Sequence, residues 1–436
     1  MKKILCLLLC LCSLFSLLGC GKDGASGDAT LPTEEKRDYS EFAGIVADPK
    51  GWYDQLMALP IASPDMTEDE LRQLCVDAFK MHASFQWTPT TDIKYSFTLL
   101  DKPSDISLPT GIAYAGMCYC SGGENGNIWK ALEFYDLETG AMDIEAMGGQ
   151  MIGMFTSACA RAVEWAYARV SNSHGLEGMA SFNQHMSNIS LVGPYNYTIG
   201  KYSFSAGPGT KDIIQDNGED VILQSYAAMK LADGVYSSSS FHVMMCSANP
   251  EVVYLPDGSI DADASYVLVC EQDAVGSKSD TKDSLQSNGV TLRTLGSIDN
   301  KYTFRQLLDK GYVPFTVKEL IGEDPVEAGD AWVGHQEKRI ENGTDIDVQT
   351  LFTNKLCTNY AICTVEFQVK NADGEVLYTH NPYVNTLPYT YEVPLNSNMI
   401  TEEMKALANG TNTIHIYTRL ATGELKEAIN TVLKLA

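Results

Sequence analysis

The sequence is short of positive charge. Its 31 Lys and Arg stand against 56 Asp and Glu, a formal charge of -25 over 436 residues. Nucleic acid and anionic membrane surfaces are therefore excluded as electrostatic partners, since both would be repelled. No Cys-x-x-Cys pair occurs among the 12 cysteines, and Cys118 and Cys120 are only two apart, so a structural zinc site has little support. His174 and His185 have no second ligand at metal-binding spacing and read as loop histidines. Gly207-Pro-Gly209-Thr-Lys211 lacks the Gly-Lys-Ser/Thr core of a phosphate loop. Asp257, Ser259, Asp261 and Asp263 alternate as oxygen ligands do, but their spacing fits no complete calcium loop, which leaves a solvated acidic turn. No cofactor is expected. The apolar run over residues 4–18 is too short for a comfortable membrane span.

What is present suits a globular chain long enough for two domains: 44% hydrophobic residues and 35 glycines. Lys2 and Lys3 precede the apolar run, the layout of a targeting segment. Its end, Leu17-Leu18-Gly19-Cys20, resembles the bacterial lipobox. The resemblance implies a signal peptide over residues 1–19 and a lipid on Cys20. The chain would then be anchored on the outer side of the cytoplasmic membrane, touching the bilayer through that lipid only. Residues 20–40 are small and polar, as in a flexible tether. Cys6, Cys10 and Cys12 fall in the signal run and Cys20 at the lipobox, leaving eight of the 12 cysteines in the exported body. Most of these are expected to be reduced and buried, with Cys246–Cys270 and Cys357–Cys363 as the pairs to check for disulfides.

The organising stretch is Phe155-Thr-Ser-Ala-Cys159-Ala-Arg, which runs on as an Ala-rich helix to Val170. A thiol in the first turn feels the positive end of the helix dipole, which favours the thiolate. Cys159, Val163, Ala166 and Val170 also share one helical face, so the alternative is a core cysteine. Upstream, Thr67-x-x-Glu70 fits a capping box, followed by Leu71, Leu74, Cys75, Ala78 and Phe79 at amphipathic spacing. That helix is expected to end near Trp87-Thr-Pro89. Ile93, Tyr95, Phe97 and Leu99 alternate as a strand.

Gly116-Met-Cys-Tyr119-Cys-Ser-Gly122-Gly123, taken with Cys159, resembles the Gly-x-Pro-Tyr-x-x-Gly-Gly and Asp-Cys-Ser-Gly motifs of the NlpC superfamily of cell-wall cysteine peptidases and amidases. A Gly-Asp turn and strand leading to His-Val-Gly-Ile are matched by Asp233-Gly234 and by His242 at the head of Val243, Met244, Met245 and Cys246. The resemblance implies a papain-like α+β fold over residues 41–325. It also implies thiolate attack by Cys159 on an amide carbonyl, with His242 as base and then acid. Tyr119 and backbone N–H groups would stabilise the oxyanion. Pro256-Asp-Gly258 turns the chain into a strand ending at Glu271 and Gln272, either of which is placed to orient the imidazole. Peptidoglycan stem peptides are the implied substrate.

Residues 171–220 look like an insertion with little regular structure. Helical turns are expected over residues 302–311 and 317–320, and a boundary at Gly322-Glu-Asp-Pro-Val-Glu-Ala-Gly329. Beyond it, alternation at Cys363, Val365, Phe367 and Val369, and turns at Asn371-Ala-Asp373-Gly374 and Asn409-Gly410, predict an immunoglobulin-like β-sandwich over residues 326–436. His335, His380 and His415 fall in this half without a cysteine partner. The rival to a cysteine hydrolase is a non-catalytic surface binding or adhesion lipoprotein that keeps the fold.

Overall fold

Thr67 opens the first long helix, Glu68–Ala83. Its hydroxyl accepts from the Glu70 N–H while the Glu70 carboxylate accepts from the Thr67 N–H, the reciprocal cap expected from the sequence. In this computed structural model the described residues are 37–99, 102–121, 126–148, 151–172, 188–198, 201–202, 209–272, 283–335, 338–384, 386 and 390–434. The expected signal peptide, Cys20, most of the expected tether, Gly122, Gly123, His174 and His185 lie outside them. Among the described residues no helix is long and apolar enough to cross a membrane.

The helix stops at Ala83, short of the expected Trp87-Thr-Pro89, because Gln86–Pro89 is already a strand. Trp87 is wholly buried there, stacks on Tyr114 and donates its indole N–H to the Gly116 carbonyl at 2.8 Å. Pro89 also disfavours helical backbone at the residue before it. Ile93–Leu99 forms the expected strand, paired with Lys102–Leu108.

A six-stranded antiparallel sheet carries the centre of the molecule, in the order Ser297–Thr303, Tyr266–Glu271, His242–Cys246, Gly234–Ser237, Val313–Val317, Ile189–Leu191. The Glu68–Ala83 and Cys159–Tyr167 helices pack on each other and on this sheet. Leu74, Cys75, Val163 and Ala166 meet Val243, Met245 and Val269 in one core. The region read as an irregular insertion supplies an edge strand, Ile189–Leu191, and a helix, Thr210–Asn217. Buried Ile189 and Ile213 explain both, since each anchors a segment too short to show a period. Phe304–Lys310 is a helix with its own Thr303/Gln306 capping box and a left-handed Gly311 stop.

From Ala331 onward the chain is mainly strands. One sheet runs Lys338–Arg339, Ala331–His335, Lys355–Thr358, Glu392–Pro394, and a second runs Asp345–Asp347, Leu425–Lys434, Asn409–Leu420, Ile362–Lys370, Val376–His380. Val333, Leu356 and Val393 of the first meet Phe367, Ile416 and Ile429 of the second in a shared core. The chain is thus mixed α and β with several sheets, and Asp38–Ala436 forms one compact unit.

Cys75, Cys118, Cys120, Cys159, Cys246, Cys270, Cys357 and Cys363, the cysteines among the described residues, are all free and buried. Met245 pairs with Cys270 and Cys246 with Val269, so Cys246 and Cys270 leave opposite faces of the sheet and cannot be bridged. Cys357 and Cys363 sit on strands of different sheets.

Candidate active site

Two short strands set up the thiol. Thr156–Ser157 runs parallel to Cys118–Tyr119, and the Cys120 N–H donates to the Ser157 carbonyl at 3.0 Å. Ala158 remains extended at φ -126° and ψ 176°, and the helix Cys159–Tyr167 begins with the cysteine itself. Its first N–H groups have no intrahelical acceptor, as at any helix start. The Gly116 bend that leads into the Tyr119 strand needs a glycine: φ is +91°, and a Cβ would lie 3.2 Å from the Ala83 carbonyl oxygen.

His242 opens its strand opposite Ser237, and its imidazole lies close enough to the Cys159 side chain for the two to interact electrostatically. The thiol also lies 3.8 Å from the Phe241 carbonyl oxygen. The ring Nε2 is 2.8 Å from Glu271 Oε2. Asn300 Nδ2 donates to Oε1 of that carboxylate, and the Tyr302 hydroxyl lies 3.2 Å from Oε2. Cys159, His242 and Glu271 therefore converge, with Asn300 and Tyr302 behind them.

Gln272 does not meet the imidazole. It is fully buried on the opposite side, where Nε2 donates to the Met117 and Leu295 carbonyls at 3.0 and 3.2 Å. Tyr119 is buried beside Ser157, its ring 5.5 Å from that of Phe97 and its carbonyl accepting from the Tyr95 hydroxyl at 2.5 Å.

No protein-family model, curated protein or solved structure matches the chain. What the site can do follows from its own electrostatics. Burial alone would pull the His242 pKa down, but hydrogen bonds and charge from Cys159 and Glu271 outweigh it and raise the imidazole to about 10. Burial pushes Glu271 up, and His242, Asn300 and Tyr302 together bring it below the usual carboxylate value. The raised pKa favours the protonated ring beside the sulfur, the arrangement used where a thiol serves as nucleophile. The thiols of Cys75, Cys118, Cys246, Cys270, Cys357 and Cys363 are pushed upward by burial. Among the described residues no group of three or more His, Cys, Asp or Glu could hold a metal ion. Asp257 instead accepts from the Ser259 N–H and hydroxyl within its turn.

Asn300 and Tyr302 are absent from the sequence reading. They come from a strand with exposed positions and a bulge, where Val269 pairs with Asn300 but Glu271 with Ser297, so Cys270 faces both Ile298 and Asp299. Alternation at Asn300 and Tyr302 was the available signal, but it does not name the neighbouring strand.

Proposed function

We propose that the chain is a cysteine hydrolase of amide bonds, built on a papain-type α+β domain with an immunoglobulin-like sandwich. It acts on the outer side of the bacterial cytoplasmic membrane, held there by a lipid on Cys20. The supporting observation is the convergence of Cys159, at a helix start, with His242 and Glu271. The protonated His242 pairs with the sulfur as thiolate, and the thiolate attacks the amide carbonyl. The Cys159 N–H, with Tyr119 as in the resembling family, stabilises the oxyanion. The imidazolium then protonates the departing amine, and water activated by the neutral ring hydrolyses the thioester. Stem peptides of peptidoglycan are the substrate favoured by the resemblance of the Gly116–Gly123, Cys159 and His242 segments to NlpC-type enzymes.

The test is digestion of purified muropeptides followed by mass spectrometry. Wild type should release cleaved products, and Cys159→Ala, equally folded by circular dichroism, should release none. A second reading, a binding lipoprotein, is favoured by one feature: Cys159 is only 8% exposed. Intact muropeptides and a thiol inert to iodoacetamide in the folded wild type would make that the better account.

A further inference from the structure

Phe241 is the oddest residue near the thiol. It is 51% exposed, and its backbone sits at φ +49°, a region that favours glycine or asparagine over a bulky side chain. It is the last residue of the four that join Gly234–Ser237 to His242–Cys246. The rest of that connection is pinned. The hydroxyls of Ser237, Ser239 and Ser240 donate to the Lys310 carbonyl at 2.7, 2.9 and 3.2 Å, and the Ser240 N–H donates to Ser237 Oγ at 3.0 Å. Ser238 Oγ accepts from the Thr210 N–H at 3.0 Å.

Neither closing the turn nor packing the core accounts for a phenylalanine here. Glycine would close the turn without strain, and a ring that packed inward would not be half exposed. Strained backbone and an unburied aromatic persist together where something outside the fold uses them. Position supplies the use, because the carbonyl of this same residue contacts the Cys159 sulfur and the next residue is His242. Tyr254, Leu285 and Val376 are also exposed, but none adjoins the thiol.

We propose that Phe241 determines specificity at this site by packing against an apolar side chain next to the scissile bond. The preferred substrates are then amides with an aromatic or branched aliphatic group flanking the carbonyl. This rests on the reading of Cys159 as a nucleophile.

The experiment compares alkylation of Cys159 in the full chain by iodoacetamide and by its N-phenyl derivative, each rate normalised to that of glutathione. Wild type should favour the phenyl reagent by about three- to tenfold, the scale of one aromatic contact. Phe241→Ala and Phe241→Gly should bring the ratio to that of glutathione, and Phe241→Trp should retain it. Equal ratios in wild type and Phe241→Ala overturn the role of Phe241 alone. A Cys159 that reacts with neither reagent overturns both this inference and the nucleophile on which it rests.

Discussion

Glu271 and Gln272 are neighbours in sequence, both buried, and they serve opposite sides of a strand. Period-two geometry makes this unavoidable, because one residue's slip exchanges the two faces. Glu271→Gln keeps the shape but removes the charge that helps hold His242 as a cation. A charge-assisted hydrogen bond is worth about 1.5–3 kcal/mol, so iodoacetamide labelling of Cys159 near neutral pH should fall roughly ten- to hundredfold. Gln272→Ala should instead strand the buried Met117 and Leu295 carbonyls and cost about 1–3 kcal/mol in urea unfolding. Reversed phenotypes would mean that Gln272 orients the imidazole.

The same residues set a pH dependence of stability. His242 is held above its ordinary 6.5, at about 10, so its contribution is complete below 6.5 and is lost as pH rises toward 10. Glu271 is held below its ordinary 4.5, so its contribution is complete above 4.5 and is lost as pH falls through the lowered value. The unfolding free-energy gap between wild type and His242→Ala should therefore be widest between 4.5 and 6.5 and narrow steadily into alkaline solution. A gap that instead widens above neutral pH, measured by urea titration, would show that the ring is neutral in the folded protein.

At the scale of elements, local signals were legible and pairings were not. The Thr67 and Thr303 caps lie within four residues of sequence, and the apolar run after His242 marks its strand unaided. Cys159 could be placed at a helix start for the same reason. By contrast, the choice of Glu271 over Gln272, the approach of Asn300 and Tyr302, and the edge strand Ile189–Leu191 depend on partners distant in the chain. Turn chemistry also misleads at Phe241, whose left-handed backbone no residue preference announces.

One long-range tie is testable by itself. Arg72 on the Glu68–Ala83 helix meets Asp233, just before the Gly234–Ser237 strand, at 2.7 Å, and both side chains are buried. Arg72→Ala leaves Asp233 without its ion partner and should cost about 3–5 kcal/mol. Arg72→Met with Asp233→Asn should recover most of that loss, because an unpaired charge is no longer buried. Equal destabilisation by the single and double variants in urea would show that burial of an unpaired Asp233 is not the source of the loss.

On the scale of the whole molecule, the strand-rich C-terminal region completes the core around Trp129 and Trp165. Ala361, Cys363, Tyr391 and Ala421 join that core, and Asn127 Nδ2 donates to the Cys363 carbonyl at 2.9 Å. Arg169, two residues beyond the Cys159–Tyr167 helix, lies in the same seam. Its guanidinium is 5.8 and 5.6 Å from the Trp129 and Trp165 rings, and Nη1 donates to the Thr422 carbonyl. Nε and Nη2 have no hydrogen-bond partner among the described residues, and burial lowers the pKa to about 10. Removing the C-terminal region would expose the two indoles and leave this cation without its carbonyl. Each large apolar side chain returned to water costs about 1.5–3 kcal/mol. The full chain should therefore unfold in one urea transition, and a chain ending just before Ala331 should unfold at lower urea or aggregate. Arg169→Met in the full chain should be neutral or stabilising, since it replaces a poorly satisfied buried charge by an apolar side chain of similar length. If the shortened chain keeps the full-length midpoint while Arg169→Met is strongly destabilising, Arg169 is satisfied from within the chain before Ala331 and the seam contributes little to holding the Cys159 helix in place.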